Sequence, residues 1–83
     1  MLIPKTVTVS QNIVKLIVEF DCLNQNYTRE YAWNIADVLN VTEAQAKAVI
    51  KAKVAVDRAT IEAAASRLQT LFNGLLNKDL EAV

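Results

Sequence analysis

Cys22 is the one thiol in the chain, and it directly follows Asp21. A thiol reacts as its thiolate, and a neighbouring carboxylate raises a thiol pKa rather than lowering it. There is no histidine, so neither a Ser-His nor a Cys-His nucleophile pair can be assembled. A zinc site has no ligand set when one cysteine is all that is present. Gly74 is the single glycine, which excludes a phosphate-cradling P-loop, a dinucleotide-binding GxGxxG turn and a GxSxG nucleophile elbow. Glu19 and Asp21 stand two positions apart, a spacing that points them in different directions on a helix, and they read as solvated charges. The sequence therefore predicts no catalytic residue, no cofactor and no metal, and it casts Cys22 as a buried structural thiol.

Without catalytic parts, the element that organises the chain is the stretch from Thr42 to Leu76. Stepping by alternate fours and threes meets Ile50, Val54, Asp57, Ile61, Ala64, Leu68, Leu71 and Leu75. All but Asp57 are apolar, which is the spacing of a heptad seam. Thr42 with Gln45 forms a capping box at the start, and Glu43 with Lys47 adds a favourable pair one turn on. No Pro or Gly interrupts the run before Gly74, which stands where a C-terminal cap belongs. Such a helix is about 50 Å long, whereas a compact chain of this length is about 30 Å across. It must protrude, bend or pack on another chain. The interface predicted on it comprises Ile50, Val54, Ile61, Leu68, Leu71 and Leu75. Asp57 falls on that seam, and three roles are open to it: an unpaired charge, an N-cap after a break near Val56, or a polar residue that fixes register.

Eighty-three residues make a single domain, 1–83, too small for an ample core of its own. Disulfide and metal are excluded, while the apolar content is 53%, so partners are the remaining source of stability. The formal net charge is zero, and no global field draws the chain to nucleic acid or to an anionic membrane. The first residues lack the pattern of a signal peptide, and the densest apolar run, Ile13 to Phe20, contains Lys15 and Glu19. No membrane association is predicted. A lone cysteine suits a reducing compartment, the cytoplasm or a particle assembled there.

Toward the N-terminus, Thr6-Val7-Thr8-Val9 after Pro4 reads as an extended arm or short strand. Ser10 to Asn24 fits two patterns. A helix capped by Ser10 places Ile13, Leu16, Ile17, Phe20 and Leu23 on one face; a strand places Val14, Leu16, Val18 and Phe20 together. The lack of an Asn-Gly or Asp-Gly turn favours the helix. A further helix is predicted from Thr28, carrying Tyr31, Ile35, Val38 and Leu39, and both Thr28 and Thr42 read as caps rather than parts of glycosylation sites. Tyr27, Tyr31 and Trp33 read as packing residues, in a core or at an interface. The predicted fold is all-α, a small helical bundle with an extended N-terminal arm and a long C-terminal amphipathic helix, continuous or broken at Asp57.

Residues 35 to 50, IADVLNVTEAQAKAVI, carry one further pattern. Ala36 is small where two helices would cross, Leu39, Val41, Ala46 and Val49 are apolar, and Asn40 holds the turn position. This segment resembles the helix-turn-helix family. The resemblance implies a second helix that reads DNA, offering Thr42, Glu43, Gln45 and Lys47 to base edges and Lys51 to phosphate. Lys47, Lys51, Lys53 and Arg58 are a thin set for phosphate neutralisation. The leading expectation is therefore a non-catalytic protein that oligomerises with itself or docks on a larger assembly, such as a virion. A small DNA-binding protein is the alternative.

Overall fold

Two tight turns decide the N-terminal half. Gln11-Asn12 and Leu23-Asn24 each link a pair of antiparallel strands in which Ser10 faces Ile13 and Cys22 faces Gln25. Positive φ is required at Gln11 (54°), and at both Leu23 (51°) and Asn24 (63°). The second pair is the signature of the hairpin turn whose twist matches that of its strands. Neither turn holds a glycine, which is why the hairpin signal is missing from the sequence. The computed structural model describes residues 1–82. It has strands β1 (Leu2–Ser10), β2 (Ile13–Cys22) and β3 (Gln25–Asn34), a single 3-10 turn (Ile35–Asp37) and helix α1 (Glu43–Asn73).

The all-α bundle expected from the sequence is thus corrected to a three-stranded antiparallel sheet, order β1-β2-β3, with one long helix. The helix expected from Ser10 is β2, where β-branched Ile13, Val14, Ile17 and Val18 suit a pleated surface better than a helical turn. The helix expected from Thr28 is β3, so Thr28 lies inside a strand and caps nothing. The N-terminal stretch is no free arm but an edge strand paired along β2. The capping box at Thr42 starts α1 as read: Thr42 Oγ1 accepts from the Gln45 N–H at 3.2 Å, and Gln45 Oε1 from the Thr42 N–H at 3.0 Å.

Strand alternation sorts the sheet into two faces. Leu2, Val7, Val14, Leu16, Val18, Phe20, Cys22, Tyr27, Tyr31 and Trp33 share the face that α1 covers, as the pairings Phe20–Tyr27, Leu16–Tyr31 and Val14–Trp33 require. The other face mixes Ile3, Ile13 and Ile17 with Lys15, Glu19, Thr28 and Glu30, the alternation of a solvated antiparallel sheet. Among the described residues the fully buried core is small: Val18, Phe20 and Val54, with Cys22 nearly so; Leu2, Leu16, Tyr27, Tyr31, Ile50 and Ile61 pack around it. The helix is much longer than the patch it covers. The molecule measures 59 × 25 × 19 Å with a radius of gyration of 18.3 Å, against about 12 Å for a compact chain of this length.

The Leu23-Asn24 turn carries the first testable consequence. An L-residue in left-handed geometry is disfavoured by about 1–2 kcal/mol, and Asn and Gly bear it far better than Leu. Replacing the pair by Asn-Gly (Leu23→Asn with Asn24→Gly) should stabilise the protein by about 1 kcal/mol. That raises the melting temperature by about 4–8 °C for a domain this small. A melt unchanged or lowered by the double substitution would mean that the turn is not formed this way.

Candidate self-association surface

α1 docks through the seam read from the sequence, but onto its own sheet. Val54 is fully buried, and Ile50 and Ile61 lie partly buried beside it. Asp57 neither caps a second helix nor stands as an unpaired charge. The helix runs through it unbroken, and its carboxylate accepts a hydrogen bond from the Tyr31 hydroxyl. Burial, and then this carboxylate, hold the Tyr31 hydroxyl well above the usual tyrosine range.

Arg58, one residue on, ties the helix to the end of the sheet. Its Nε donates to the Asp21 carbonyl at 2.9 Å, and its Nη2 to the Met1 carbonyl at 2.8 Å and to Asp21 Oδ1 at 3.1 Å. The guanidinium also lies 5.6 Å from the centre of the Phe20 ring. Asp21 further accepts from the Met1 amino group at 2.7 Å; that bond, more than Arg58, keeps its carboxyl below the ordinary range. Cys22 is buried beneath this cluster, its thiol directed at the Arg58 carbonyl 3.9 Å away.

Beyond Ile61 the same helix face continues past this point of attachment. Ala64 and Leu68 are half-buried, and from Leu71 onward the side chains stand in water. Leu71 is 53% exposed, Phe72 58% and Leu76 65%. At about one hundred degrees per residue, Leu68 and Phe72 fall on the stripe that begins with Ile50 and Val54, and Leu75 follows in the turn just after the helix. At the opposite end of α1 lies a second unfilled apolar surface. A groove of about 240 Å³ opens between helix and sheet, walled by the apolar side chains of Val7, Val14, Trp33, Val41, Val49 and Ile50.

The predicted interface residues are therefore divided. Ile50, Val54 and Ile61 are used within the chain, Leu68 is intermediate, and Leu71 and Leu75 are free. Phe72 and Leu76 belong with them but lie outside the predicted set, although each directly follows an apolar residue of the heptad. Trp33 reads from the sequence as a packing residue, but its place in a groove follows from pairing with Val14 across β2 and β3, which no local pattern reveals.

The residues that the helix-turn-helix resemblance offers to DNA all lie exposed at the cap and in the opening turns of α1. Thr42 and Gln45 satisfy each other at the cap, Lys47 lies 3.7 Å from Glu43, and Lys51 is exposed. Arg58 is engaged with the sheet, and the helix that should precede the turn is strand β3 followed by a 3-10 turn. Among the described residues no cluster of His, Cys, Asp or Glu could hold a metal ion, and no helix is long and apolar enough to cross a membrane. Comparison with protein-family models, with curated proteins and with solved structures finds no match to this chain.

Proposed function

We propose that this chain is a non-catalytic assembly protein that associates with further copies of itself. One observation carries the reading: the helix face that docks on the sheet runs on beyond it and leaves Leu71, Phe72, Leu75 and Leu76 in water. Contiguous apolar surface rimmed by polar residues marks an interaction site on a soluble protein. The small core supports the same reading, because a chain that buries so few side chains alone gains stability by burying more against a partner. A single buried thiol fits a reducing compartment or a particle assembled there.

Sedimentation of the unmodified chain should show oligomers whose fraction grows with concentration in the micromolar range. Leu71→Lys with Phe72→Lys should shift that distribution to monomer while leaving the far-ultraviolet spectrum unchanged, since both side chains are already exposed. A monomer throughout, with no partner added, would overturn the proposal.

A further inference from the structure

We propose that the assembly is built by insertion: the Leu71–Leu76 end of one copy fills the groove beside the start of α1 in a second copy, and the second returns the contact. This rests on the self-association reading above and adds the partner surface to it. Both surfaces are apolar and unfilled, and they lie at opposite ends of one helix. Val49 and Leu71 are about 33 Å apart along an unbroken helix, with no Pro or Gly between them to act as a bend. A chain cannot fill its own groove, whereas an antiparallel neighbour brings each end to the other's groove. Water is a poor occupant, because a buried water needs two or more polar partners and the apolar walls supply none.

Area agrees with the arrangement. The groove lies at the N-terminal end of α1, flanked by Val41 and Ala46; that end is already capped by Thr42 and carries Glu43 in its first turn, so the helix dipole does not choose the occupant. Burying a Leu- or Phe-sized side chain removes roughly 60–120 Å² from water. Four inserted side chains and the groove walls, counted over two equal contacts, bury about 1,000 Å², the lower bound for a specific interface. Two-fold symmetry closes the pair.

The sheet edges compete poorly. β1 carries Pro4 and a register shift between Pro4 and Thr6, and β3 carries Arg29 and Glu30. Proline, bulges and charges are the devices that keep edges from pairing.

The test uses three single-cysteine additions to the full chain, Val41→Cys at the groove, Leu76→Cys at the free end and Ile3→Cys on the solvated sheet face. All three positions are exposed, and circular dichroism checks that each variant folds. Under oxidised glutathione, Val41→Cys mixed with Leu76→Cys should give a covalent dimer that neither gives alone. Leu76→Cys linking to itself would mean that the free ends meet each other and would overturn insertion while leaving self-association intact. Equal linking of Leu76→Cys to Ile3→Cys would overturn it as random collision. No link in a chain that still sediments as an oligomer overturns insertion alone; a monomer overturns both readings.

Discussion

Phe20→Ala should remove a large share of the protein's stability and lower its urea midpoint well below that of the parent. Phe20 is wholly buried at the middle of a core with few other buried side chains. Its ring stacks on Tyr27 at 5.9 Å between centroids, and the Arg58 guanidinium lies over it. Truncating a buried Phe to Ala costs about 3–5 kcal/mol, and the lost aromatic pairing adds about 0.5–1.5 kcal/mol. At about 0.05–0.15 kcal/mol per residue, a chain of this length has roughly 4–12 kcal/mol in total, so one substitution removes a large share of it. Urea unfolding followed by circular dichroism measures the loss, with Phe20→Leu as the milder comparison that keeps most of the volume. A midpoint for Phe20→Ala no lower than that for Phe20→Leu would show that the core is not centred on this ring.

Phe20 also shows what was legible in the sequence. The strand face Val14, Leu16, Val18 and Phe20 is visible there as one of two patterns, and the turns decide between them. Type I′ geometry at Leu23-Asn24 is held by residues that do not announce it, so the local evidence points to a helix while the long-range pairing makes a strand. Tyr27, Tyr31 and Trp33 fall at even spacing, as a strand requires. Read with Ile35 and Val38, they pass equally for a helical face. The helix-turn-helix resemblance draws on the same ambiguity, since small and apolar residues at 36 to 49 serve a loop and a helix start just as well. The long helix is readable because its determinants are local: a capping box, an uninterrupted run and heptad spacing. What the seam packs against is not readable. Half of it meets the chain's own sheet and half meets water, and only the sheet's length separates the two. The groove draws its walls from β1, β2, β3, the loop and α1 together, so no window of sequence contains it.

Asp57 is where sequence and structure differ most in the outcome they lead one to expect. An unpaired charge on a continuous seam would make Asp57→Leu stabilising. In the structure Asp57 is the acceptor for a part-buried Tyr31 hydroxyl, and Asp57→Leu should destabilise by about 1–3 kcal/mol, the cost of leaving a buried polar group without a partner. Asp57→Asn keeps an acceptor and should lose less. Tyr31→Phe in the Asp57→Leu background removes the orphaned hydroxyl and should recover part of the loss, a coupling that a double-mutant cycle reads directly. The same pair sets an alkaline limb. The Tyr31 pKa is raised in the folded state by burial and by the Asp57 carboxylate, while an unfolded tyrosine ionises near pH 10. The folded chain therefore holds this proton where the unfolded chain releases it. Its contribution to stability is full below about pH 10 and is lost as the pH rises above it. Thermal melts of the parent and Tyr31→Phe should run parallel at neutral pH and converge above about pH 10, where the parent alone carries this penalty. A parent that does not approach Tyr31→Phe there, together with a higher melting temperature for Asp57→Leu, would return Asp57 to the role of an uncompensated charge on the seam.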